Sequence, residues 1–126
     1  MPAFAKLFLI LGSINAMLAV MLGAFGAHGL KKTLPVDLLT TFATGAQYHF
    51  YHALGLLAVG LLAMHLPASM PLRLSGWLML AGIIFFSGSL YLLAITGIRW
   101  LGAITPLGGV CFIISWVMIA VAVYKA

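Results

Sequence analysis

Apolar residues run along this chain in long blocks broken by short polar stretches. The first block is Leu7 to Ala27, LFLILGSINAMLAVMLGAFGA. The second covers about 48–66, the third about 72–95 and the fourth about 106–124. Each approaches the roughly 20 residues an α-helix needs to cross the hydrocarbon of a bilayer. Lipid offers the backbone no hydrogen-bond partners, so apolar runs of this length read as helices. The breaks between them agree: LPASMPL supplies Pro67 and Pro71 as breakers, and TGIRW is a tight connector. Thr105 suits an N-cap, with Pro106 at the first helical position. Alternatively, the last helix begins near Trp100 and kinks at Pro106. The predicted fold is all-α, an integral membrane four-helix bundle forming one transmembrane domain over residues 1–126.

Between the first two blocks the pattern changes. In PVDLLTTFATGA, Asp37, Thr40, Thr41 and Thr44 fall on one helical arc, and Val36, Leu39, Phe42, Ala43 and Ala46 on another. Pro35 suits a first helical position. This spacing predicts a short amphipathic helix over about 35–46, lying in the interface or forming the water-facing start of the next span. The first block follows a short N-terminus with one Lys, as a cleaved leader would. Its length, its glycines and Asn15 favour a retained span.

Composition strengthens the membrane reading. The chain has 126 residues, 65% hydrophobic and 6% charged, with a mean hydropathy of +1.25. Soluble domains carry about a quarter charged residues, so this chain lacks the polarity to cover a water-facing surface. Its six cations, Lys6, Lys31, Lys32, Arg73, Arg99 and Lys125, are scattered at the ends of apolar blocks, against the single acid Asp37. They read as headgroup anchors. No basic stripe with interleaved aromatics exists, which excludes nucleic-acid binding. Four spans put Lys6, Arg73, Lys125 and the amino terminus on one side, and Lys31, Lys32 and Arg99 on the other. The free amine tips the balance toward a multi-pass protein of the cell (inner) membrane with both termini cytoplasmic. Cys111 stands alone and reads as a small buried hydrophobe.

Antiparallel threading gathers the polar residues. The end of span one, the start of span two, the end of span three and the start of span four share one leaflet. They carry GAFGAHG, GAQYHFYH, FSGSLY and TPLGG. His28, Gln47, Tyr48, His49, His52, Ser87, Ser89, Tyr91 and Thr105 all fall there. Unpaired polar groups are costly in lipid, so these should turn inward as a hydrogen-bonded cluster. Tyr48 and His52 share a helix face, as do His49 and His52, with Ser87, Tyr91 and His28 as expected partners. A small-residue seam at Gly12, Ala16, Ala19, Gly23 and Gly26 would bring span one close to its neighbours. Gly82, Gly88, Gly108 and Gly109 are the expected opposing surfaces.

Three functions fit such a cluster. It can form a pocket for a lipid-like or other amphipathic ligand, or a contact with a partner membrane protein. It can serve only to fix packing or assembly. It can let His28, His49 and His52 ligate haem or a metal ion. No Cys or Glu completes a zinc site, and no cofactor is expected. Ser87 or Ser89 near His52 can be drawn as a catalytic dyad, but SGS in a span reads as packing, so no catalytic residue is assigned. GxxGxxG at Gly23, Gly26 and Gly29 closes a helix and is no nucleotide loop. Asn15 reads as interhelical glue, and Trp116 lies too deep for an interfacial belt. A homo-oligomer is compatible with so small a bundle, though no heptad selects its number.

GAFGAHGL, TGAQYHFYHALGLL, FSGSLYLLA and TPLGG, in this order, resemble the small YgdD/YwdK-like membrane proteins, a family of unknown function with relatives in bacteria and eukaryotic organelles. The resemblance covers about residues 7–124 and implies four spans but no activity. Its signature positions would be His28, Gln47, Tyr48, His52, Ser87, Gly88, Ser89, Tyr91, Thr105, Pro106 and Gly108.

Overall fold

A computed structural model describes residues 1–126. It is all-helical: α1 (Ala3–His28), α2 (Val36–His65), α3 (Met70–Gly82), a π turn (Ile83–Ser87), α4 (Gly88–Thr96), a 3-10 turn (Arg99–Ala103) and α5 (Thr105–Lys125). α3, the π turn and α4 run on as one rod, so four long rods make the bundle. Three stretches are long and apolar enough to cross a membrane: Ala3–His28, Met70–Thr96 and Arg99–Lys125. α2 is not among them, because Gln47–His52 dilutes its apolar character.

The connectors follow local chemistry. The Ser69 side chain accepts a hydrogen bond from the Leu72 N–H at 3.4 Å, capping α3, and Pro71 occupies its first turn. Gly97 ends α4 at φ 72°, a left-handed conformation that glycine adopts without strain. Of the two arrangements expected for 35–46, the structure has the start of the next span and not a separate interfacial helix. The segment is continuous with the second span in the 30-residue α2, since nothing in TGAQ breaks a helix. Its buried face also differs from the expected arc: Leu38, Phe42, Gly45, His49 and His52 lie inward, while Val36 and Ala43 are exposed. Thr105 makes no capping bond, and the 3-10 turn leads almost directly into α5.

α1 packs chiefly on α2, and α3 on α5, with α2 also touching α3, the π turn and α4. One apolar cluster unites Phe8, Leu56, Val59, Leu72, Met79, Ile83, Phe112 and Ala122. A smaller one near the other end unites Leu38, Phe42, Leu93 and Ala94. Backbones approach where side chains are missing. A Cβ on Gly12 would lie 2.8 Å from the Leu57 backbone nitrogen, and one on Gly60 would lie 2.9 Å from that of Leu9. The seam of α1 therefore meets α2. Gly82 and Gly108 form a junction of their own, where α5 closes on Phe86 and α3 on Phe112. The π turn adds a residue to the α3–α4 rod. Buried positions run 72, 76, 79, 83, 87 and 94, and Tyr91 stays turned inward.

Ala at Gly12 should destabilise the bundle by about 1–3 kcal/mol by forcing α1 off α2. A methyl added at Gly88 or Gly109 would meet no neighbour closer than 3.9 Å, so Ala there should be neutral or mildly stabilising. Unfolding in mixed micelles measures both. Equal effects at all three positions would remove close backbone approach as the reason for Gly12.

Candidate functional site

Two histidines on α2 organise the polar interior, and each bonds to different helices. His49 is 4% exposed. Its Nε2 lies 3.0 Å from Asn15 Oδ1 on α1, and its Nδ1 lies 2.9 Å from the Tyr91 hydroxyl on α4. Asn15 Nδ2 donates to the Leu11 carbonyl at 2.8 Å, which fixes Oδ1 as an acceptor. His49 must therefore donate from Nε2 and accept the Tyr91 O–H at Nδ1. This is a closed chain of three interactions that joins α4, α2 and α1.

His52, 5% exposed, carries the opposite tautomer. Its Nδ1 donates to the Tyr48 carbonyl at 2.7 Å. Its Nε2 accepts the Trp116 Nε1–H of α5 at 3.1 Å. An indole nitrogen can only donate, so this imidazole nitrogen must be unprotonated. The ring stacks on Phe112 with centroids 3.5 Å apart and an interplanar angle of 8°. Together His49 and His52 tie α2 to each of the other three rods. Asn15 packs inside the bundle, whereas Trp116, expected there too, is 44% exposed and turns only its indole N–H inward to His52. The sequence gives no sign of Phe112 and Trp116 as the partners of His52, because residues 60 and more apart carry no spacing signal.

Other expected members lie elsewhere. Ser89 Oγ pairs with Thr105 Oγ1 at 2.6 Å and also donates to the Phe86 carbonyl, which joins α4 to α5. Ser87 is buried with no partner for its hydroxyl. Gln47 donates to the Tyr51 hydroxyl on the outer face of α2, and Tyr48 is exposed there, its ring stacked toward His52. His28 is exposed at the end of α1 and joins nothing. A second polar contact, Ser115 Oγ to the Ser75 carbonyl at 2.8 Å, is wholly buried between α5 and α3.

This geometry corrects one of the three readings. Haem or metal ligation by His28, His49 and His52 is not supported. His28 is apart from the pair, the ring nitrogens of the pair are already bonded, and no group of three His, Cys, Asp or Glu can hold an ion. The Ser–His dyad is also absent, since neither Ser87 nor Ser89 bonds to His52. The His49 and His52 rings are thus satisfied by internal contacts, while the Ser87 hydroxyl is not.

A groove of about 640 Å³ lies beside it, between the C-terminal half of α1 and the first half of α2. Ala19, Gly23, Ala27, Phe42, Ala43 and Ala46 give it apolar walls, with Thr40, Gln47 and Lys31 as polar margins. Across the same end of the bundle, Arg99 donates to Asp37 Oδ2 at 3.1 Å. That bond holds the Asp37 carboxyl below the ordinary carboxylate pKa.

Comparison with known proteins agrees with the membrane architecture. Residues 22–109 match the family described as Protein of unknown function (DUF423). Over 120 residues the chain is 61% identical to UPF0382 membrane protein YwdK of Bacillus subtilis, covering 95% of this chain and 98% of that protein. A UPF0382 membrane protein of Staphylococcus saprophyticus is 50% identical over the same shares. No solved structure matches the chain.

Nitrogen-15 spectra of the purified protein should show His49 protonated at Nε2 and His52 at Nδ1; two rings of the same tautomer would break the assignment. Trp116→Phe should cost about 0.6–2 kcal/mol, the range for one polar contact in lipid, and should release the His52 tautomer preference. Because Asp37 has a lowered folded-state pKa, its pair with Arg99 stabilises above the ordinary carboxylate range and stops doing so as pH falls through the lowered value. Asp37→Asn should therefore lower the melting temperature slightly at neutral pH, with the gap closing in acid. The effect should be small, since the two side chains are 74% and 60% exposed.

Proposed function

The chain belongs to the DUF423 family of membrane proteins of unknown function, and from that premise we propose that it is a four-span, non-enzymatic component of the cell membrane. Its polar residues lock the bundle, and it engages lipid-like molecules or membrane partners from its lipid-facing surface. The observation that carries this is the closure of the polar network. All four ring nitrogens of His49 and His52 are bonded within the chain, so neither ring has a nitrogen free for a cofactor or substrate.

The same closure supports α2 as the fourth span. Its two buried imidazoles, His49 and His52, face partners inside the bundle, while Leu54 and Leu61 face outward at 48% and 54% exposure. A polar residue that is paired internally does not tax a span as an exposed one does. Four spans place both termini on one side. Lys6, Arg73 and Lys125 there, against Lys31, Lys32 and an Arg99 bonded to Asp37, favour the cytoplasm. A purely structural or assembly role is the second reading, favoured by the burial of His49 and His52. The open groove beside α1 argues for a ligand instead.

With Cys111 replaced by Ala, single cysteines at Lys32 and Ala68 should react with a membrane-impermeant maleimide from opposite sides of the membrane. Labelling from one side would make α2 a non-spanning helix. Absorption spectra of the gently extracted protein should show no Soret band; one that disappears on His52→Ala would restore the haem reading.

A further inference from the structure

We propose that the groove between α1 and α2 is a binding site for one anionic glycerophospholipid, with its phosphate held by Lys31 and Lys32 and an acyl chain laid along the small-residue wall below. The site is separate from the polar cluster and does not depend on it.

The shape fits an amphipath standing upright in one leaflet. The lining on α1 runs from Ala19 to Ala27, about 12 Å along the helix axis at 1.5 Å per residue. Ala19, Gly23 and Gly26 form one wall, and Phe42, Ala43 and Ala46 the other. The two walls meet at the floor of the groove: a Cβ on Gly23 would be in van der Waals contact with Ala46 at 3.8 Å, and one on Gly26 would lie 2.6 Å from the Phe42 ring. Ala27, Lys31, Thr40, Ala43 and Gln47 are exposed, so the groove opens sideways to lipid along its length. Its volume, about 640 Å³, lies within the usual range for ligand sites. Thr40 and Gln47 are placed at its margin for the glycerol and ester oxygens.

Charge identifies the headgroup. Lys31 lines the groove and Lys32 follows it, at the loop end where phosphates lie. Neither forms a salt bridge, and the protein has no acid to offer them: Asp37, its only one, is bonded to Arg99. Two cations at the mouth of an apolar groove therefore draw their counter-charge from outside the chain, and a net-negative lipid supplies it together with the acyl tail. A second copy of the chain fits less well as the occupant. Pairing this face with itself would bring four lysines together with no carboxylate between them.

The test is native mass spectrometry of protein released from nanodiscs of equimolar phosphatidylglycerol and phosphatidylcholine. The parent should retain one phosphatidylglycerol. Lys31→Ala with Lys32→Ala should reduce the preference for phosphatidylglycerol by about 25-fold, from roughly fivefold for each surface cation. Ala43→Phe, at an exposed position, should block retention of both lipids without lowering the unfolding temperature. Equal retention of the two lipids by the parent, or an unchanged preference in the double lysine variant, would overturn the proposal. So would a lipid-free dimer that Ala43→Phe separates, which would make the groove a contact between copies.

Discussion

The bundle depends on satisfying polar groups where no water is available to do so. α2 carries two imidazoles into the interior, and each must find a donor and an acceptor in fixed directions. His49 finds them on α1 and α4, and His52 finds them on its own backbone and on α5. These bonds are directional, whereas the surrounding contacts are apolar and leave helices free to rotate or slide. Hydrophobic burial cannot choose one arrangement, because lipid is as apolar as leucine. The histidines therefore set the rotation of α2 and, through their partners, the register of the other three rods.

Close packing lets those bonds form. Gly12 and Gly60 allow the α1 and α2 backbones to approach, which brings Asn15 within reach of His49. Gly108 and Gly82 do the same for α5 and α3, and the buried Ser115–Ser75 contact lies on that interface. The π turn has a comparable effect along the third rod. One additional residue keeps Tyr91 on the buried face, where it meets both His49 and the Phe42 ring at 4.9 Å. The polar layer is thus held between the two apolar clusters, one led by Phe8 and Leu56 and the other by Leu38 and Phe42.

Where polarity is paired inside, the outer surface is left to interact with the membrane. α1 presents Ile10, Ile14, Met17 and Met21 outward, and α5 presents Val110, Ile113 and Val117. Against that apolar surface, the groove beside Lys31 stands out because it combines an unfilled volume with uncompensated charge. The closed cluster and the open groove divide the polar residues into those that build the protein and those that meet its surroundings.

The chain's own order of residues determined the helical class and the apolar runs. These follow from run length and hydropathy, which are local or one-dimensional. The sequence also marked Gly12 and Gly26 as positions of close approach through their helical spacing. Only the tertiary structure decided which polar residues meet. His49, Tyr91 and Asn15 converge and Ser89 finds Thr105, while His28, Gln47 and Tyr48 face outward and Ser87 is left unpaired. Those outcomes turn on helix rotation about the long axis, where 100° between successive residues separates a buried imidazole from an exposed one. They also turn on a π turn, which has no breaker or cap in the sequence to reveal it. A pairing such as His52 with Trp116, 64 residues apart, is fixed by packing in three dimensions and leaves no periodic trace along the chain.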